Sequence, residues 1–253
     1  MKRLTCRGVV MIATLGVAVA ASGPSEASLA RNAAGAKNIG NPGHLTLDTA
    51  GQLESDPDGR NFVIETGLQY QITRRFQLLA EFVPFESQRP NAGSGTSGIG
   101  DTDVTLSWLA GSGGGRLPTV VLGARAKLPT AGNGAIGTGK PDYAALFILG
   151  KELGELELSL ETEYTTFGQS GGVKLRNQFV YAAISEYALN DFLAVYAELS
   201  GRSAPTAFES RSDVARIGVE VDIPVRERIA PYVSFEIDTE TVAAIRAGID
   251  WSW

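Results

Sequence analysis

The chain has 253 residues, 43% of them hydrophobic, with one histidine, one cysteine and a net charge of -6. That acidic balance argues against nucleic acid as a partner, because surfaces that bind it are basic. A single cysteine, Cys6, excludes an intramolecular disulfide framework and a thiolate metal site.

Residues 1–27 read as a secretory signal. Lys2, Arg3 and Arg7 make its positive start and residues 8–21 an apolar run of 14. Ala18-Val19-Ala20 and Ser25-Glu26-Ala27 are both acceptable cleavage sites. The run falls short of the about 20 residues that a spanning helix needs. Removal would move the net charge from -6 to -9 after Ala20, or to -8 after Ala27. Cys6 precedes the apolar run rather than ending it, which argues against acylation at the cleavage site. Residues 28–42, rich in Ala, Asn and Gly, read as a flexible periplasmic lead-in to a single unit over 43–253.

Beyond the lead-in the chain repeats one unit, an alternating segment followed by a break. Leu45, Leu47, Thr49, Gly51 and Leu53 form a weak first apolar face, and Asp56-Pro57-Asp58-Gly59 is a turn signal. Phe62, Ile64, Thr66, Leu68, Tyr70 and Ile72 alternate with polar residues that include Glu65. Across a tight break at 73–75, Phe76, Leu78, Ala80, Phe82 and Pro84 oppose Gln77 and Glu81. Thr102, Val104, Leu106 and Trp108 oppose Asp103; Val120, Leu122, Ala124, Ala126 and Leu128 oppose Arg125 and Lys127. Residues 142–152 are apolar on both faces and fit no clean alternation. Leu156, Leu158, Leu160, Thr162 and Tyr164 oppose Glu157, Glu161 and Glu163; the period of 2 predicts a strand despite the helix formers there. Further strands are expected at 174–187, 192–200, 212–223 and 229–238. The last, 242–253, puts Ala243, Ile245, Ala247, Ile249, Trp251 and Trp253 on one face, and Arg246 and Asp250 on the other.

Successive side chains of a strand point to opposite faces, so each segment has an apolar and a charged side. Twelve such segments, an even number, alternate between short breaks (73–75, 111–117, 153–154, 188–191, 224–228) and longer ones (54–60, 86–99, 129–141, 168–173, 201–211). The last external break, near 239–241, is short. Even strand number, short periplasmic turns and longer external loops characterise outer-membrane barrels. Tyr70, Phe76, Trp108, Tyr164, Tyr187, Phe192, Trp251 and Trp253 sit near strand ends, where a bilayer interface favours them. The expected fold is therefore all-β: an antiparallel up-and-down transmembrane β-barrel of about 12 strands. Trp251 and Trp253 would serve as a C-terminal assembly signal read by the barrel-assembly machinery. A soluble β-sandwich shows similar alternation, and the scarcity of charge on the apolar faces does not by itself decide between them.

Motifs for other chemistry are weak. Gly134-Ala135-Ile136-Gly137-Thr138-Gly139-Lys140-Pro141 nearly spells a phosphate loop but ends in proline where Ser or Thr must hold magnesium. Gly93-Ser94-Gly95-Thr96-Ser97-Gly98 matches a dinucleotide fingerprint in letters, without the surrounding βαβ unit. His44 lies beside a turn, poorly placed for a hydrolase triad. Neither enzyme activity nor a cofactor or metal is expected. What remains is the charged face. Glu65, Glu81, Asp103, Glu157, Glu161, Glu163, Glu198, Glu220, Asp222, Glu236, Asp238 and Asp250 would point inward with Arg125, Lys127, Arg176, Arg216 and Arg246. Such an acidic lumen favours cations or neutral polar solutes. Two readings stay open for a twelve-stranded barrel: a narrow passage for small solutes, or a packed salt-bridge interior in a non-conducting anchor, scaffold or sensor.

Three loop borders carry a family resemblance. Gly98-Ile99-Gly100-Asp101 opens one strand, Lys127-Leu128-Pro129-Thr130 closes the next, and Gly137-Thr138-Gly139-Lys140-Pro141-Asp142-Tyr143 opens a third. Together they resemble the outer-membrane barrel family named for the meta-pathway of phenol degradation, whose members are described as candidate transporters. The resemblance is strongest over 98–200. It implies the barrel fold, an outer-membrane location and movement of small, in part aromatic, compounds. It supplies no catalytic or binding residue.

Overall fold

The structure is a computed structural model. It describes residues 42–56, 59–114, 117–132, 136–137, 139–168, 175–190, 192–204, 212–222, 229–239 and 243–252. The expected signal, nearly all of the lead-in and Trp253 lie outside the described residues.

Every regular element among the described residues is a strand. In chain order these are β1 (Leu45–Asp56), β2 (Gly59–Gln71), β3 (Phe76–Pro90), β4 (Thr96–Gly98) and β5 (Thr102–Gly114). Next come β6 (Leu117–Leu128), β7 (Asp142–Leu153), β8 (Leu156–Thr166) and β9 (Gln178–Asn190). The last are β10 (Leu193–Arg202), β11 (Ser212–Asp222), β12 (Ile229–Asp238) and β13 (Ala243–Ser252). Each long strand pairs antiparallel with its sequence neighbours, and β1 closes the ring on β13, from Thr46 opposite Ser252 to Ser55 opposite Ala243. The three-residue β4 pairs only with the outer part of β3, so the closed cylinder has twelve strands. A closed ring leaves no edge with unpaired N–H and C=O groups, as a sheet in lipid requires.

The alternation sorts side chains by face. On β8, Leu158, Leu160 and Tyr164 are exposed while Glu161, Glu163 and Thr165 are buried. The same split puts Phe62, Leu68, Leu106, Ile217, Phe235, Ile245 and Ile249 outside, and Glu65, Glu81, Arg125, Glu198 and Arg246 inside. A soluble sandwich would do the reverse, so the sandwich reading fails on this distribution. Exposed rings mark both ends of the cylinder. Tyr70, Phe76, Trp108, Tyr187, Phe192 and Trp251 lie toward the end that holds the turn between β2 and β3; Phe62, Phe82, Phe85, Tyr143, Tyr164 and Phe179 lie toward the opposite end. The long strands have 10 to 15 residues, enough to cross a hydrocarbon layer that needs about 9–11 tilted ones.

The structure departs from the sequence expectations in four places. The strand expected at 76–84 runs to Pro90, because Val83 and Pro84 together face the single residue Glu65. That bulge accommodates the proline and resets the alternation. Phe85 thereby returns to the outer face, with its ring 6.1 Å from that of Phe62. On β5, Ala110 is the extra residue between Leu109 opposite Val121 and Gly111 opposite Val120, and the strand continues to Gly114. The strand expected from 174 begins at Gln178, which leaves Arg176 exposed on the connection before β9 rather than on the inner wall. The first external break is tight rather than long, since β1 and β2 pair up to Asp56 opposite Gly59.

Candidate functional site

Among the described residues the strands create one extended polar surface, the inner wall, and its register fixes which charges meet. Toward the mouth that holds Asp101 and Ala131, Glu81, Asp103, Lys127 and Asp142 occupy successive opposed positions on β3, β5, β6 and β7. Lys127 is buried and pairs with Asp142, and its Nζ lies 3.5 Å from Asp101. Asp101 in turn accepts the Ala131 N–H at 3.0 Å, and Asp142 accepts the Gly168 N–H at 2.8 Å. Thr130 stands 2.9 Å from the Thr102 hydroxyl and donates to the Gly100 carbonyl at 3.3 Å. A side chain at Gly137 would run into Ala131 and into both oxygens of Asp101. The three loop-border motifs therefore converge on one lattice, in which a single ammonium ties two carboxylates and their loops together.

A second network spans β6 to β8. Arg125 crosses β7 beside the small Ala144 and reaches Glu163 at 2.5 Å, and Glu163 also accepts the Thr165 hydroxyl at 2.5 Å. A third holds the closing seam. Arg246 on β13 meets Glu65 at 3.3 Å and Asp48 at 3.5 Å, and donates from Nε to the Tyr232 hydroxyl at 3.0 Å. Tyr232 donates on to Asp48 at 3.0 Å. A fourth places Arg216 between Glu198, at 3.3 Å, and Glu236, at 3.1 Å. Glutamates Glu152, Glu157 and Glu186 stand side by side at the ends of β7, β8 and β9 nearest the turn between β7 and β8. Glu220 and Asp250 are half-buried, Asp250 at the position opposite Asp48.

Some expected positions differ. Asp222 is exposed at the end of β11 rather than enclosed. Trp251, by contrast, is exposed on the outer face, the side on which its phase along β13 puts it. The side chain of Asp238 lies outside the described residues. Asp48, Asp101 and Asp142 were missed as site residues, although Asp142 shares the phase of the inward residues of β7.

The interior is not uniformly polar. Leu109, Val121 and Ile148 form a buried apolar cluster on β5, β6 and β7, and Val180, Ala182 and Ile184 form another on β9. Residues 142–152 are apolar on both faces because β7 contributes Leu146 and Ile148 to this inner patch while Tyr143 and Ala145 face out. Tyrosines help shape the bore. Tyr196 stands opposite Gly218 and Tyr232 opposite Gly248, each ring covering its glycine so closely that a Cβ there would overlap it. The rings thus lie along the wall instead of across the lumen.

A closed antiparallel cylinder, apolar outside and charged within, defines the transmembrane β-barrel class. No protein-family model matches the chain, and no curated relative matches it. Solved structures do. An outer membrane channel from Pseudomonas putida F1 superposes with a TM-score of 0.62 at 12% identity, covering 84% of this chain and 96% of that one. The KdgM porin, solved in complex with disordered oligogalacturonate, gives 0.56 at 14% identity over 82% and 99%. The NanC porin gives 0.56 at 12% identity over 81% and 98%. At these identities the likeness establishes the shared fold.

Proposed function

We propose that this chain is an outer-membrane channel that passes small solutes through a narrow, acidic lumen. One observation carries the reading. Inner-wall atoms of Gln71, Gln77, Asp103, Thr105, Glu161, Gln178 and Ser200 are buried without a hydrogen-bond partner in the protein. Buried polar groups almost always have partners, and a partly satisfied network is worse than an apolar one. These groups line the inner wall of a closed ring, so their unmet hydrogen-bonding capacity belongs to the enclosed side and not to the bilayer. The apolar, aromatic-flanked outer surface supports a bilayer as the surroundings. The barrels it superposes on, two of them porins and one an outer membrane channel, support the same reading. The convergence of the three loop-border motifs on one lattice supports membership in the family named for the meta-pathway of phenol degradation. In this reading residues 1–27 are a cleaved signal, and the C-terminal strand with Trp251 and Trp253 engages the barrel-assembly machinery.

Planar-bilayer recording tests the channel. Discrete conductance steps in KCl are expected, and their absence from a folded, inserted sample removes the claim. Neutralising Glu157, Glu161 and Glu163 to Gln is expected to lower cation preference; unchanged reversal potentials would count against an acidic passage.

A further inference from the structure

We propose that Glu161 is a binding position within the lumen for an organic ammonium ion with an apolar body, an inference that rests on the lumen being a passage. Glu161 is 1% exposed, and both of its carboxylate oxygens lack a hydrogen-bond donor. The charged groups acting on it, Glu198 and Glu163, are both negative. Each of those has its own guanidinium, Arg216 at 3.3 Å and Arg125 at 2.5 Å, so Glu161 alone of the three has no protein cation. Its register neighbours are Ile148 on β7 and Ala182 on β9, with Val121 and Leu109 continuing the row beyond Ile148.

A lone buried carboxyl group among aliphatic side chains stays ionised only when something supplies a positive charge. The surroundings select which cation. Calcium takes six to eight oxygen ligands and magnesium near-ideal octahedral geometry. Among the described residues no group of three or more His, Cys, Asp or Glu is arranged to hold a metal. A primary ammonium needs fewer acceptors: it donates to Glu161 while its hydrocarbon lies against Ile148, Val121 and Leu109.

The test uses the full-length folded barrel in detergent, with n-butylammonium as probe and n-butanol and n-butyrate as controls, read by titration calorimetry. Saturable binding of n-butylammonium over both controls is expected. Glu161→Gln should weaken it about tenfold or more, the size of a lost charge-assisted hydrogen bond. Ala182→Leu, which keeps the charge but adds bulk at the register neighbour of the carboxylate, should weaken it as well. Arg74→Gln, in the turn before β3, should leave it unchanged. Heat-dependent gel mobility verifies that each variant is folded. Equal binding by wild type and both lumen variants, or binding no stronger than that of n-butanol, overturns the assignment. Conductance separates the two claims: steps without ammonium binding sink this site and spare the channel, whereas binding without steps sinks the channel and spares the site.

Discussion

The mouth around Lys127 and the middle of the barrel treat the same side chain in opposite ways. At the mouth, Lys127 and Arg125 tie down Asp101, Asp142 and Glu163, and loop N–H groups add to the pairing. Two residues further down the same strand, Glu161 is as deeply buried as Glu163 and has neither cation nor donor. Burial is therefore not what distinguishes them; partnership is. At the mouth Asp101, Asp142 and Glu163 each have a protein cation, which gives those pairs a structural character. The middle is left incomplete, and incompleteness at a buried carboxylate is where a passing solute can gain binding energy.

Breaking the mouth should give the largest effect. Lys127→Ala leaves Asp101 and Asp142 enclosed without their ammonium, and loss of one partner from a buried ion pair costs about 3–5 kcal/mol. Denaturant unfolding of the barrel in detergent, followed by tryptophan fluorescence, should show the midpoint fall accordingly. The comparison is sharpened by making one substitution at both levels. Glu163→Gln strands the Arg125 guanidinium and should lower stability by roughly 1–3 kcal/mol. Glu161→Gln removes a buried charge that has no partner and should raise stability, by something of the order of 1 kcal/mol. Changes of the same sign in the two variants would erase the distinction. The smallest expected effect comes from Gly248→Ala, which touches neither region's charges but displaces the Tyr232 ring, at about 1 kcal/mol. Its signature is electrical: single-channel conductance should drop while reversal potential stays put.

The strands were legible because lipid and lumen impose a period of 2, and that pattern survives in the letters of β2, β6, β8 and β13. Strand ends were not, where Pro84 and Ala110 insert an extra residue and shift the phase. A proline that reads as a terminus is, inside a bulge, compatible with continuing the strand. The ambiguity of 142–152 has a similar origin, since β7 serves lipid on one side and an apolar patch of lumen on the other. Site geometry was harder still. Asp101, Lys127 and Asp142 stood in the sequence as loop-border letters, yet only the register of three strands puts one ammonium between two carboxylates. No spacing along the chain reveals that Glu161 lacks the guanidinium that Glu163 has.

The tyrosines laid over Gly218 and Gly248 bear on how a fixed strand number can yield barrels of unequal calibre. Backbone geometry sets the outer circumference, but these two rings determine how much of the enclosed cross-section is left for cargo. A lineage that replaced either glycine would swing an aromatic plate toward the axis, retuning the size limit while the backbone ladder of the wall stays as it is; at Gly248 the Tyr232 bonds to Arg246 and Asp48 would go with it.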